Sequence, residues 1–409
     1  MSRARILGAM SNRTGSAAGE RPLDGIRVLD FTRVVAGPLA TRMMADMGAE
    51  VIKIEPTDGD LSRTFPPYVP GDVNPYFSQQ NAGKRFCSID LRAPGAPDLV
   101  RELIGHSDVI VENYRPGVMA KFGLGADEMC AAHPALVYCS VTGFGQTGPW
   151  ADKRAYAPVG HMESGYIDYA MRETGAEPEN PPLVVGDIVT AMSAAATVNA
   201  MLVKAARTGR GGHIDVCMVE AMVYIQEWSA LELAGGWEEP NAGLAHECPI
   251  LVLPDGRVWA IAGNPAAWFD DLLEAMGRPE LADDPRFATP AARMANRYEL
   301  YDEMTQWAAG FADVEDFRRT IEAGTPFSVA EMRSLNDLAE TDWAAHRGLL
   351  AETASGFRVP ARPALGSGIG TNGHVAARGA DNRDVIGGLL GYSDDRLDRL
   401  EAAGVLVTA

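Results

Sequence analysis

Residues 26–55, IRVLDFTRVVAGPLATRMMADMGAEVIKIE, decide the fold. Residues 26–31 (IRVLDF) form an apolar-rich run with strand character. The GPLATRMMADMGAE that follows places Leu39, Met43 and Met47 at i, i+4 and i+8, one face of a helix. VIKIE then reads as a second strand. Together they make a βαβ unit, whose strands run parallel and whose crossover is right-handed.

Downstream the alternation continues. Residues 97–106 (PDLVRELIGH) read as helix and 108–112 (DVIVE) as a buried strand. Residues 127–133 read as helix and 135–142 (ALVYCSVT) as strand. A helix rich in small residues occupies about 189–208, followed by a Gly-rich turn, a short strand and another helix. This order predicts an α/β fold: a parallel sheet covered by helices on both faces. After about residue 235 the character changes. GGWEEPNAGLAHECP reads as loop. LVLP and VWAIAG are two strands joined by the Asp255-Gly256 hairpin turn, and helices follow at about 266–276, 292–309 and 313–323. This stretch reads as a separate, smaller α+β domain. Residues 355–375 read as a return linker and the remainder as two helices, one starting at Ser393.

The 409 residues allow two or three domains, and 46% hydrophobic with 22% charged residues is ordinary for a globular protein. The net charge of −19 excludes a general nucleic-acid binder, which needs a basic surface. Any polyanionic ligand must then meet a local basic cluster. No run reaches the roughly 18 apolar residues of a membrane span. Residues 189–203 come closest and read as a buried packing helix, so no membrane association is expected. Cys87, Cys130, Cys139, Cys217 and Cys248 lack metal-ligand or disulfide spacing, which fits reduced thiols, a cytoplasmic location and no metal site. Residues 1–21 carry Arg3, Arg5 and Arg13 with no acid before Glu20. They read as an N-terminal extension, with a mitochondrial presequence as the alternative.

Gly143-Phe144-Gly145-Gln146-Thr147-Gly148 matches GxGxxG after a good strand. A dinucleotide site needs that motif to open a helix. Here Pro149-Trp150 follows without helical periodicity, so the motif reads as a backbone-exposed loop able to donate N–H groups to a ligand. Asp187 lies where the strand-like LVVG ends and the long helix begins, near exposed N–H groups that favour an anion. Position alone is equally explained by a plain N-cap aspartate.

Several segments in order resemble the class III CoA-transferases, a family that also contains alpha-methylacyl-CoA racemases. They are PLDGIRVLDFTRVVAGPLATRMMADMGAEVIKIEP, NAGKRFCSIDL, DVIVENYRPGVMAKFGL, SVTGFGQTGPWADKRAYAPV, VVGDIVTAMSAA and TGRGGHIDVCMVEAM. The likeness runs from about residue 22 to the C-terminus. It implies a Rossmann-like large domain with a parallel sheet built from both chain ends (22–230, with 346–409 as linker and return) and a small inserted α+β domain (235–345). It also implies an interlocked homodimer.

The resemblance implies that Asp187, in the dipeptide Gly186-Asp187, is the nucleophile of an acyl-CoA:carboxylate CoA-transferase. A carboxylate attacking a thioester forms a mixed anhydride and then an aspartyl-CoA thioester, splitting one exchange into near-isoenergetic steps. Each tetrahedral centre needs donors for its oxyanion, for which the Gly143–Gly148 loop N–H groups are candidates. The racemases pair the aspartate with a histidine. That position holds Tyr156 here, whose ordinary pKa of about 10 suits a hydrogen-bond donor better than a base. His161, five residues on, serves as a base only with a shift in register; otherwise it is a packed histidine. Transferase is therefore the leading reading, with 2-methylacyl-CoA racemase as the alternative and a non-catalytic CoA-binding protein third. For coenzyme A as cosubstrate, the resemblance points to Arg154, Asn113 and Lys121, with Arg115, Gly145, Arg63 and Lys84 as further candidates. The partners expected are an acyl-CoA and a carboxylic acid.

Overall fold

The structure is a computed structural model that describes residues 21–69, 73–235, 248–364, 366 and 368–409. Residues 1–20 of the N-terminal extension and most of the loop expected after residue 235 lie outside the described residues. The chain divides into two compact units. One comprises residues up to Asp168, Pro178–Glu227 and Asp342–Ala409; the other comprises Tyr169–Glu177 and Trp228–Thr341.

The first unit is built on a six-stranded sheet of order β3-β2-β1-β4-β5-β6. Its strands are β1 (Arg27–Asp30), β2 (Glu50–Glu55), β3 (Arg85–Ser88), β4 (Val109–Glu112), β5 (Val137–Thr142) and β6 (Gly212–Cys217). Every neighbouring pair is parallel. Side chains alternate between faces along each strand. Val28, Val51, Val109 and Val137 pack beneath the helices Ala36–Asp46 and Val185–Thr208. Leu29, Ile52, Ile110 and Tyr138 pack on the opposite face with the helix Ala96–Ile104 and the C-terminal helices Asn382–Leu390 and Asp394–Ala402. All six strands come from the first part of the chain. The C-terminal return adds helices and one isolated bridge, Ile89 to Leu406, so the sheet itself is not built from both chain ends.

The helix Ala36–Asp46 is buried most deeply along Ala40, Thr41 and Met44, while Leu39 and Met43 are only partly buried. The expected face is displaced by one residue because this helix packs both on the sheet and sideways against Val185–Thr208, and small residues permit the closest approach. Val185–Thr208 is likewise not wholly buried. Ala191, Ala194, Ala195 and Val198 face the core, whereas Met192 and Val203 are 50% and 51% exposed.

In the second unit, β7 (Ile250–Val252) and β8 (Val258–Ala262) form the hairpin predicted from Asp255-Gly256. A third strand, β9 (Ser328–Glu331), pairs antiparallel with β8. Its sequence, SVAE, is too short and polar to signal a strand. Trp259, Phe269, Phe287 and Phe317 fill this unit's core. The expected linker at 355–375 contains a strand as well, since β10 (Leu350–Glu352) and β11 (Arg358–Pro360) make a hairpin.

Beneath the carboxyl ends of β1 and β2 lies a set of fully buried charges. Lys84 Nζ donates to Asp30 Oδ2 at 2.8 Å, to the Pro38 carbonyl at 2.9 Å and to Asn81 Oδ1 at 2.8 Å. Lys53 Nζ reaches Asp60 Oδ2 at 2.9 Å and the Thr32 carbonyl at 2.7 Å. Glu55 accepts the Asp60 N–H at 2.9 Å and pairs with Arg63 at 2.6 Å. Burial alone pushes the Asp30 carboxyl up, but Lys84 and Lys53 outweigh it and hold the group below the ordinary carboxylate range. Burial pushes the Lys84 ammonium down to about 8 despite Asp30. A buried ion whose partner is removed is left uncompensated. Lys84→Met is expected to lower the unfolding free energy by about 3–5 kcal/mol, with partial recovery in the Asp30→Asn/Lys84→Met double variant. Urea unfolding midpoints measure both, and an unchanged midpoint in the single variant contradicts the network's role.

Candidate active site

β1 and β4 are adjacent, and the chain leaves them toward opposite edges of the sheet. A crevice opens outside their carboxyl ends, the place where open parallel sheets bind ligands. Asn113, just after β4, ties the two sides together. Its Oδ1 accepts the Arg33 N–H at 2.9 Å and its Nδ2 donates to the Arg33 carbonyl at 2.9 Å. Val34 follows with φ at 70°, a left-handed conformation that a β-branched residue adopts only when its surroundings impose it. Asp60 does so by accepting the Val34 N–H at 3.1 Å. Behind this loop, a Cβ on Gly37 would stand 2.3 Å from Thr32 Cβ, so only glycine lets the helix start this close.

Asp187 lies in the first turn of Val185–Thr208. LVVG is not a strand: the helix already begins at Val185, and its N-cap, Val184, makes no side-chain cap. The carboxylate therefore does not cap its own helix. The N–H groups of Ala36 and Ala157, the first residues of the helices Ala36–Asp46 and Ala157–Glu163, are near enough to favour its charged form. Such N–H groups have no partner within their own helix and carry positive potential. Burial nevertheless dominates and pushes the Asp187 carboxyl above the ordinary aspartate value, against the pull of these donors. The result is a carboxylate less stabilised as an anion than one in water and a correspondingly better base and nucleophile when ionised.

Tyr156 is the N-cap of Ala157–Glu163, one residue before an Asp187 donor, with its side chain 63% exposed. Tyr76, on the helix Pro75–Asn81, is within electrostatic reach of Asp187. Burial and then the Asp187 charge push its phenol up. The sequence carries no sign of this residue's place, because only the fold brings residue 76 toward residue 187. His161 is fully buried with both ring nitrogens engaged: Nε2 accepts the Gly186 N–H at 3.0 Å and Nδ1 lies 2.8 Å from Asn180 Oδ1. It is a packed histidine and offers no free lone pair as a second base.

The Gly143–Gly148 loop is tied down internally. The Gly145 N–H donates to Thr142 Oγ1 at 2.8 Å and the Gln146 N–H to Asp215 Oδ2 at 2.7 Å. These two N–H groups are therefore spent, and the expected oxyanion donors are better sought at Ala36 and Ala157. The loop still abuts the site segment, since a Cβ on Gly143 would lie 2.2 Å from Ala155 Cβ.

The candidate CoA contacts separate into groups. Arg154 and Arg115 are both exposed, and Arg115 Nη2 donates to the Asp152 carbonyl at 3.1 Å, close in sequence to Arg154. Arg33, which the motifs did not single out, is exposed at the crevice with its guanidinium 5.4 Å from the Tyr114 ring centroid. Lys121 is exposed elsewhere, on a cleft of ≈ 580 Å³ shared with Leu91, Arg92, Arg101 and Phe122. Arg63 and Lys84 belong to the buried charge network and are not available to a ligand. The structure thus gathers Asn113, Tyr156, Asp187 and the Gly143–Gly145 turn around one crevice, and leaves Lys121 apart.

A family model described as CoA-transferase family III matches residues 23–377. The chain is 32% identical over 407 residues to a succinyl-CoA–D-citramalate CoA-transferase of Chloroflexus aurantiacus, covering 94% of this chain and 98% of that one. It is 31% identical over 400 residues to a mouse succinyl-CoA:glutarate CoA-transferase, covering 94% and 90%. Among solved structures it resembles a CaiB/BaiF family protein from Brucella suis, with a TM-score of 0.78, 28% identity and coverage of 91% and 100%. The order of motifs, the parallel sheet and these likenesses agree, and the chain belongs to CoA-transferase family III.

Proposed function

We propose that this protein moves coenzyme A from an acyl-CoA thioester to a free carboxylic acid, with Asp187 as the nucleophile. One observation carries the assignment: Asp187 is half-buried in the first turn of its helix, where the backbone N–H groups that begin two other helices favour its charged form. In this reading the carboxylate attacks the thioester carbonyl. The tetrahedral intermediate expels CoA thiolate and leaves a mixed anhydride. The thiolate attacks the aspartyl carbonyl, forming aspartyl-CoA and releasing the donor's acid. The acceptor carboxylate attacks that thioester, again giving an anhydride and thiolate. Thiolate attack on the acceptor's acyl carbon yields the new acyl-CoA and regenerates Asp187. Each step breaks one acyl bond as it forms another. Whenever the aspartyl carbon is attacked, negative charge develops on an oxygen held by the Ala36 and Ala157 N–H groups. Arg33, Arg115 and Arg154 are the cations proposed to meet the CoA phosphates, with the Tyr156 hydroxyl donating to the substrate.

Two relatives act with succinyl-CoA and a dicarboxylic acid, so succinyl-CoA with glutarate heads the substrate panel. The racemase alternative needs a second base opposite Asp187, and both His161 nitrogens are already committed.

The proposed homodimer draws support from Val185–Thr208. Met192, Ala196, Ala200 and Val203 form an exposed stripe at helical spacing, beside a helix that ends in the exposed Val223 and Tyr224. A second copy of the chain is the proposed occupant.

Asp187→Asn is expected to reduce CoA exchange by roughly 10³-fold or more, and hydroxylamine is expected to trap the acyl-enzyme in wild-type protein only. Full exchange activity in that variant rules the assignment out, and alpha-proton washout into deuterated water without an acceptor acid favours the racemase. The nucleophile must be ionised, so kcat/KM is expected to fall as pH drops. Because the Asp187 pKa is raised, this acid limb is expected above the ordinary aspartate value of 3.8. Sedimentation is expected to give twice the 43.7 kDa chain mass, and Val203→Lys to shift it toward one chain. A wild-type monomer refutes the dimer.

A further inference from the structure

The Val185–Gly186 peptide, one peptide before Asp187, is oriented from outside its own helix. Gly186 has no side chain to restrict it, and its N–H lies in a first turn where the helix supplies no partner. That N–H donates to His161 Nε2 at 3.0 Å, while the Gly186 carbonyl accepts Thr190 Oγ1 at 2.6 Å. A backbone N–H can only donate, so Nε2 must carry the lone pair and the ring proton must sit on Nδ1. Nδ1 then donates to Asn180 Oδ1 at 2.8 Å. The Asn180 amide is oriented in turn, because its Nδ2 donates to the Pro181 carbonyl at 3.1 Å. Each link from Pro181 through Asn180 and His161 to Gly186 runs in a single direction. A buried histidine satisfied for packing alone has no reason to spend its lone pair one residue from the candidate nucleophile.

The geometry points to His161 as a positioning residue for Asp187, locked by Asn180 in the neutral tautomer that carries its proton on Nδ1. This inference rests on the assignment of Asp187 as nucleophile. The ring acts through Gly186 and touches no substrate. It fixes the Val185–Gly186 peptide plane, while Thr190 holds the carbonyl of the next peptide, from which Asp187 extends. A misplacement of about 1 Å at a reacting group costs on the order of 10²-fold in rate, so a loosened Gly186 is felt in turnover.

The first test uses wild-type protein with ¹⁵N-labelled histidine. A long-range ¹H–¹⁵N correlation spectrum at neutral pH, assigned by the signal missing in His161→Gln, is expected to show the Nδ1–H tautomer. The Nε2–H tautomer or an imidazolium overturns the proposal. The second test is kinetic. His161→Leu is expected to lower kcat by roughly 10- to 100-fold while KM for acyl-CoA changes by less than about twofold. His161→Gln, which places an amide oxygen about where Nε2 sits, is expected to restore most of the lost kcat. Asn180→Ala keeps the ring and removes its lock, and is expected to lower kcat in the same sense. Equal kcat in the Gln and Leu variants, or a loss confined to KM, overturns the proposal. The tautomer is read in wild-type protein without turnover, so a loss of kcat in a variant bears on the positioning role alone. Activity retained in Asp187→Asn removes the nucleophile assignment without moving the tautomer, which separates the two failures.

Discussion

Asp30, Lys84, Lys53 and Asp60 neutralise one another in a space closed to water, and the loop after β1 is shaped by the hydrogen bonds this neutrality leaves over. Isolated charges at these positions cost far more than a folded domain can spare, so each must keep its partner and fill its remaining valences. They fill them with the loop backbone. The Thr32 N–H goes to Asp30 and the Val34 N–H to Asp60, while Asn113 takes the Arg33 N–H from across the crevice. The Ala36 N–H is then presented to Asp187. Read along the chain, side chains that could not be buried without partners lead the backbone into an anion-holding turn. Val34 bears the conformational cost, of order 1–3 kcal/mol for such backbone strain.

The same economy of partners governs Asp187 itself. Its own helix begins one turn too early for the side chain to act as a cap. The N–H groups at two foreign helix starts instead favour its charge, while burial works against its ionisation. A group stabilised only by donors would be a poor nucleophile, and one that was merely buried would stay protonated. The balance between the two is what covalent exchange at a carboxylate requires. Preorganised N–H groups also lose nothing when the charge moves onto a tetrahedral oxygen, because they need not reorient.

Basic residues divide by depth rather than by motif. Lys84 and Arg63 stand in segments that looked suited to a polyanionic ligand, yet both are consumed by buried acids. Arg33 has no special sequence context, yet it lies exposed where the two halves of the sheet part. The overall acidity of the chain makes this sorting consequential, since only cations free of internal partners can offset it locally.

The βαβ pattern of 26–55, the buried strands at 108–112 and 135–142 and the Asp255-Gly256 hairpin were all legible, because periodicity and turn chemistry are local properties of the chain. So was Asp187 as the residue to watch, through the Gly-Asp step before a small-residue helix and the resemblance carried by the ordered motifs. The start of that helix at Val185, the third strand at Ser328–Glu331 and the exposed half of Val185–Thr208 were not legible, since each depends on what packs alongside. Nor could local pattern show that Gly145 spends its N–H on Thr142, that Tyr76 comes within electrostatic reach of Asp187, or that His161 surrenders its lone pair to Gly186. The residue types and the order of elements were determined by sequence alone. Which donor meets which acceptor was decided by tertiary structure, because a hydrogen bond is specified by distance and direction between atoms that the chain brings together only on folding.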